Sequence, residues 1–368
     1  MSLSARAAVL NEISREMVIQ EIAVAEPRAD EVLVAIAACG ICHTDLIVQH
    51  GALSVPTPVV LGHEGAGHVL AVGSDVTSVK AGDPVILSYA SCGDCRPCAA
   101  DEPAYCHEFR ARNFTAARPD GSTAFSADGE KIHSHFFGQS SFSTHVVTPI
   151  RNIVKAPTDI PLEILAPLGC GIQTGAGSIL NELKVESGSV VMVMGAGAVG
   201  MSAIMAAQIA GAEKIIALDL SEPRLALAAE LGAAHVLQSD GRPIAEFLRS
   251  IDVEGVDYIV DTTGVPALVN DAVSSLNIRG AIGLCAAYPH QNMLEIDFAA
   301  TMIGGRRVQG IVEGSAVPQE FLPELISYYR NGQFPFDRMI EHFAFTDINE
   351  AIAACDSGRV VKPVLQMI

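Results

Sequence analysis

The sequence predicts an α/β protein of two domains: a mostly-β domain built from both chain ends, and an inserted domain with a doubly wound parallel sheet. Three observations predict it. At 368 residues the chain exceeds what one hydrophobic core usually serves. Through residue 171 it reads as short strands broken by Gly and Pro, with no sustained helical period. From residue 172 apolar strands alternate with helical stretches, which is βαβ repetition. The alternation ends near residue 310, and the tail returns to the character of the start. The expected domains are therefore 1–171 with 314–368, and 172–313.

Residues 1–37 alternate as strands do, with Glu31 to Ala37 the best of them. Glycine-rich turns then carry Cys42 and His63. Gly65 to Val72 and Val76 to Ile86 read as short strands and turns, punctuated by Gly82-Asp83-Pro84. Residues 92–106 form a cysteine lobe, 107–135 a long polar loop, and 136–160 strands and turns again. Ile172 to Leu183 predicts a helix. Ser189 to Met194 is a near-continuous apolar strand of the kind covered on both faces. Strands follow at 215–218, 235–237, 258–260 and 281–285, with helices at 202–210, 221–231, 244–251 and 266–276. Pro318 to Arg330 and Ile348 to Cys355 predict helices, and Val360 to Ile368 a last strand.

A net charge of −19 argues against nucleic acid or an anionic membrane as partner. No apolar run reaches the roughly 20 residues that span a bilayer. No secretory leader is expected, and nine cysteines, four within fifteen residues, read as metal spacing rather than a disulfide framework. The default location is cytoplasmic.

Cys92, Cys95, Cys98 and Cys106 are spaced C-x2-C-x2-C-x7-C. Two-residue gaps let neighbouring sulfurs converge on one ion, and four thiolates close a tetrahedral zinc shell with no open position. Iron–sulfur ligand runs look similar and are the rival reading. Upstream, Gly40-Ile41-Cys42-His43-Thr44-Asp45 and Gly62-His63-Glu64 each offer one ligand beside glycine. A lone Cys is usually a small buried hydrophobe and a lone His a structural one. Here Asp45 and Glu64 stand ready to orient the ligands, and Cys170, in Pro167-Leu168-Gly169-Cys170-Gly171, falls at the domain junction. Two thiolates and one imidazole leave a fourth position to water or substrate, the open geometry of a catalytic zinc. Cys39, Cys285 and Cys355 stand in apolar runs and read as core.

Gly195-Ala196-Gly197-Ala198-Val199-Gly200 follows the apolar strand and opens an Ala-rich helix. A G-x-G-x-x-G is weak alone and strong in this strand–turn–helix setting, where the glycines let a pyrophosphate approach the helix N-terminus. Asp219 ends the next strand, nineteen residues past Gly200. A carboxylate there accepts from both ribose hydroxyls and repels a 2′-phosphate, which selects NAD over NADP. Arg224 is a mild counter-signal, since arginine is the usual 2′-phosphate partner.

Together these residues resemble the zinc-dependent medium-chain alcohol dehydrogenases over nearly the whole chain. His135-Phe136-Phe137-Gly138-Gln139-Ser140-Ser141-Phe142, the Val312-Glu313-Gly314-Ser315 turn and Phe334-Pro335-Phe336-Asp337 look most like the aryl (benzyl) alcohol dehydrogenases. Glutathione-dependent formaldehyde dehydrogenases share Cys-His-Thr-Asp, and broad aliphatic alcohol dehydrogenases are a further alternative. The resemblance implies a GroES-like catalytic domain, a Rossmann domain and a cleft between them, with one catalytic and one structural zinc per chain and NAD. It gives Cys42, His63 and Cys170 the catalytic-zinc role, Thr44 the proton-relay hydroxyl, and Glu64 and Asp45 supporting places, Asp45 against His63. His43 and Lys362 fall near the cofactor phosphates, Thr174 near the nicotinamide and Arg224 near the adenosine ribose. Tyr89, Phe136 and Phe137 fall near the substrate pocket. Liver-type members end their relay with a histidine where this chain has Ile47. The proton then leaves from the ribose directly to water or through another base such as His50.

The implied activity is oxidation of a primary aryl or allylic alcohol to its aldehyde, with hydride passing to NAD, reversibly. The implied partners are that small molecule and further copies of the chain, as a homodimer or homotetramer. A descendant that kept only nucleotide binding would show decay of the metal ligands, and all three are in place.

Overall fold

The computed structural model describes residues 2–286 and 293–367. It divides into two compact units. The first comprises Met1–Cys170, Val317–Pro323 and Asp337–Ile368, and the second Gly171–Ala316 and Glu324–Phe336. The segment 324–336 thus packs with the second unit, whereas the sequence grouped it with the first.

The first unit is built on Glu31–Gly40, whose alternating apolar residues bury one face and whose last three positions are buried outright. This strand pairs antiparallel with Glu64–Val72, His145–Pro149 and Lys362–Gln366. The register sets Gly40 opposite Glu64 on one side and Val364 on the other. Residues 300 positions apart are so brought to the start of the 40–45 turn. A β-carbon at Gly40 would run into the Glu64 carboxylate, so only glycine admits that side chain. A second sheet, among the described residues, has the order Val59–Val60, Leu3–Leu10, Val18–Val24, Phe125–Ala127 and Glu130–Ile132.

The stretch 107–135, expected as an irregular loop, is ordered. It holds the helix Phe109–Phe114 and the hairpin 125–132, which joins strand 18–24. Long-range polar contacts fix it rather than local periodicity. The buried Asn113 amide brackets Ala90, accepting from its N–H at 2.9 Å and donating to its C=O at 2.9 Å. Arg118 grips Glu31 through two bonds of 2.6 and 2.8 Å. Burial alone would raise Glu31, but bonds from His135 and Arg118 outweigh it and hold the carboxyl down at about 2.

The second unit carries an all-parallel six-stranded sheet in the order His235–Gln238, Lys214–Asp219, Val190–Met194, Val256–Asp261, Leu276–Leu284, Arg307–Gly310. In chain order this is 3-2-1-4-5-6, the doubly wound order whose crevice lies at the carboxyl ends of strands one and four. Met192, Met194, Ile216, Ile259 and Ile282 pack one core there with Leu248, Val269 and Leu276. The predicted helix 172–183 starts as the α-helix Gly171–Gly177 and widens into a π-turn over Ser178–Glu182. The helix Phe298–Gly304 leads into the edge strand 307–310. No helix among the described residues is long and apolar enough to cross a membrane.

Candidate active site

Three loops of the first unit converge. Cys42 precedes the helix His43–Gln49, His63 precedes strand 64–72, and Cys170 ends the turn Ala166–Gly169. The ligand atoms of these three residues lie within 4.8 Å of one another. Asp45, 1% exposed, organises two of the loops. It accepts from the N–H groups of Cys42 and Gly62, both at 3.0 Å, and its Oδ1 is 3.1 Å from His63 Nδ1. A carboxylate only accepts, so the ring proton sits on Nδ1 and Nε2 presents a lone pair. That Nε2 is fully buried and has no hydrogen-bond partner. A buried imidazole nitrogen is rarely left bare. With two thiols beside it, the donor set fits a divalent zinc with one open position.

The electrostatics fit the same ion. The Cys42 thiol is held well below its usual range, chiefly by the hydrogen bond from the Cys170 thiol, with Lys362 adding positive charge. Beneath the site Lys362 Nζ donates to both Glu64 oxygens at 2.9 Å and to the Ile41 carbonyl at 3.0 Å. Lys362 is 2% exposed and Glu64 0%. Burial pulls the lysine down, but Glu64 outweighs it and holds the ammonium above its usual range. Thr44 Oγ1 lies 3.7 Å from Cys42 Sγ, in reach of a group bound there. Ile47 is half-buried on the same helix. His50 is exposed, 3.9 Å from the Asp356 carboxylate.

An aromatic wall stands over the imidazole. Phe137 stacks on His63 at 4.3 Å and 21°, and Phe136 meets it edge-on at 5.5 Å. Phe114 touches both phenyl rings at 6.2 and 5.2 Å, and Phe109 links Phe114 to Tyr89. His135 and Phe137 hold this turn with φ of 68° and 52°, a left-handed backbone that bulky residues seldom adopt.

In the cysteine lobe the four sulfurs also lie within 4.8 Å of one another. Cys92 Sγ is 3.9 Å from Cys98 Sγ, and Cys95 Sγ 3.9 Å from Cys106 Sγ. That is near the roughly 3.8 Å edge of a tetrahedron with about 2.3 Å zinc–sulfur bonds. It is too close for sulfurs that surround a multi-iron cluster. Backbone N–H groups of Cys95, His107 and Glu108 point at the sulfurs at 3.4 to 3.5 Å. Such bonds, from Cys98 and His107 first, pull Cys95 down to about 6.

The nucleotide turn belongs to the second unit. Gly195 has φ of +90°, which L side chains rarely adopt, and Gly197 caps the helix Ala198–Ile209. Asp219 closes the turn: one oxygen accepts from Ala196 N–H at 2.6 Å, the other from Ser221 N–H at 2.8 Å. Gly200 packs against the Gly195 carbonyl too closely for a β-carbon.

The family model for the alcohol dehydrogenase GroES-like domain matches residues 28–158, and that for the zinc-binding dehydrogenase matches residues 198–328. A geraniol dehydrogenase of Castellaniella defragrans is 40% identical over 366 residues, covering 99% of this chain and 98% of its own. The chain belongs to the zinc-dependent medium-chain alcohol dehydrogenase family. The crystal structure of an alcohol dehydrogenase zinc-binding domain protein from Burkholderia ambifaria matches this dehydrogenase with TM-score 0.97 and 46% identity over the full length of both chains. A benzyl alcohol dehydrogenase from Acinetobacter calcoaceticus matches with TM-score 0.96 and 42% identity, again over both full chains.

The dehydrogenase places its expected residues unevenly. Cys42, His63, Cys170, Asp45, Glu64, Thr44, Phe136 and Phe137 meet in one place. Lys362, for which the resemblance implied a place near the phosphate, has its ammonium held under the 40–45 turn by Glu64. His43 is exposed at the start of its helix. Thr174 is 7% exposed on helix 171–177. Arg224 is half-buried, with a buried Nε that has no partner. Sequence reasoning missed Phe109, Phe114 and the Gln139 amide, because nothing local marks an aromatic or an amide as facing a site.

Proposed function

We propose that the protein oxidises primary aryl or allylic alcohols to aldehydes, with hydride passing to NAD and the reaction running in both directions. The observation that carries the substrate class is the phenyl wall stacked directly on the His63 ring. Such a wall suits a flat apolar group attached to the carbinol carbon. Geraniol is allylic and benzyl alcohol aromatic, so both named relatives fit the same reading. Cys42, His63 and Cys170 would hold a zinc, which supplies Lewis acidity to the alcohol oxygen. Thr44 takes the hydroxyl proton and hands it outward. With Ile47 next in line, that proton leaves through the ribose, water or His50. Glu64 and Lys362 hold the loops from beneath. Asp219 would accept from the ribose hydroxyls and so favour NAD. The Cys92, Cys95, Cys98 and Cys106 lobe would hold the structural zinc. Among the described residues no cysteine forms a disulfide, which fits a reducing cytoplasm.

Steady-state NADH formation tests this. Fully burying one phenyl-sized group contributes about 1.5–3 kcal/mol, which converts to roughly 10- to 100-fold in kcat/KM. Benzyl alcohol and geraniol should exceed ethanol by that factor, and NAD should serve better than NADP. A preference for ethanol or for hydroxymethylglutathione would favour the aliphatic or formaldehyde alternatives and end the aryl reading.

We also propose a homodimer or homotetramer joined through the second unit. Ile278, Phe298 and Ile303 are each about four-fifths exposed, beside the sheet edge at 307–310. Sedimentation should give a multiple of 38.6 kDa, and a monomer at micromolar concentration would refute it.

A further inference from the structure

The three metal-binding loops come from distant parts of the chain, and ligation alone does not preset their spacing. One buried side chain touches the backbone of two of them directly or through a single intermediary. Gln139 is 0% exposed. Its Nε2 donates to the His63 carbonyl at 2.9 Å and to the Ser88 carbonyl at 3.2 Å. Its Oε1 accepts from Gly65 N–H at 3.1 Å and from the Ser141 hydroxyl at 2.6 Å. A primary amide has two donors and two acceptor sites, so every one is used.

The contact at Ser88 carries the restraint to the third ligand. Ser88, also 0% exposed, donates its hydroxyl to the Gly169 carbonyl at 2.7 Å, next to Cys170. Asn152, 1% exposed, closes the circuit. Its amide donates to Ser88 O and to Phe137 O, both at 2.9 Å, and so holds the ring that stacks on His63. A β-carbon at Gly138 would come within 2.5 Å of that amide nitrogen. Asp45 orients the His63 ring from the 40–45 side. Gln139 holds the His63 main chain from the opposite side.

We propose that Gln139, acting through Ser88, is a positioning residue of the catalytic metal site. It fixes the distance between the His63 and Cys170 loops before the ion binds. The proposal rests on the reading of Cys42, His63 and Cys170 as a metal site. The Gln139 amide has every donor and acceptor used in a buried setting, and losing it leaves its partners unpaired. Changes to groups that support ligands commonly weaken metal affinity by about 10–100-fold.

The test uses the full-length protein loaded with zinc, and separately with cobalt(II), and titrates a chelator against each metal. The unaltered chain should carry two metals. Gln139→Met should weaken the catalytic metal by about 10–100-fold and shift the visible bands of cobalt at that site. The four-cysteine metal should be unmoved. Ser88→Ala should act in the same direction with smaller amplitude, and it decides the matter if Gln139→Met does not fold. Catalytic-metal affinity within about twofold of the unaltered protein, or equal weakening of both metals, would overturn the proposal. Fewer than two metals in the unaltered chain would refute the underlying metal-site reading, and the proposal with it.

Discussion

His63→Ala should abolish alcohol oxidation, lowering kcat by at least about 10³-fold, or about 4 kcal/mol of barrier. Cys42→Ser should do nearly the same. The reason is geometric. The only unpartnered atom of the His63 ring is the one aimed at Cys42 and Cys170, and Asp45 fixes the tautomer that aims it. Alanine removes that donor and the surface on which Phe137 stacks. Dinucleotide binding should survive in both variants, because the glycine turn and Asp219 belong to the second unit. Calorimetric titration with NAD separates the two effects. Turnover within tenfold of the parent would remove His63 from the chemistry. Loss of NAD binding in step with turnover would mean the variant had simply unfolded.

Lys362→Met should destabilise the protein by about 3–5 kcal/mol, since it strands the Glu64 carboxylate where water cannot reach it. Against a typical total of about 5–15 kcal/mol this is a large fraction. The pair itself need not be strongly favourable, because desolvating two charges offsets most of their attraction. Glu64→Gln combined with Lys362→Met should therefore recover most of the loss. The pH dependence has a definite sign. Without its lysine, Glu64 has a folded pKa raised further above its unfolded value, near 4.3. The stability of the variant should then fall as pH rises from about 4.3 through that folded value, so the deficit is smallest in acid. Urea unfolding midpoints across pH measure it. A cost below about 1 kcal/mol, or a deficit that grows toward acid, would contradict this account of the ion pair.

Much of the site is legible in the chain as written, because ligand chemistry and turn chemistry are local. Four cysteines at two- and seven-residue gaps have few uses other than a metal, and the folded lobe sets their sulfurs near tetrahedral edges. The strand–glycine–helix pattern at 190–209 needs only neighbours to read, and so does the carboxylate that ends the following strand. Cys42, Thr44 and Asp45 share one turn, and the roles proposed for them are suggested by residue type, spacing and the family resemblance.

Other features became visible only after folding, for one physical reason. The bonds that set them link residues far apart in sequence, or join an amide to backbone carbonyls that carry no residue identity. Nothing near Lys362 announces Glu64, 298 positions away, until the register of strands 31–40, 64–72 and 362–366 sets them side by side. The segment 107–135 lacks periodicity, yet Asn113 and Arg118 tie it to Ala90 and Glu31 and bring Phe114 against the active-site rings. Gln139 stands in a stretch that the sequence marked only as a likeness. The sequence thus singled out the candidate metal ligands, the glycine turn and the α/β fold class. Tertiary structure decided what holds those ligands apart and what stands over them, because buried charges and amides take their meaning from the partners that burial leaves them.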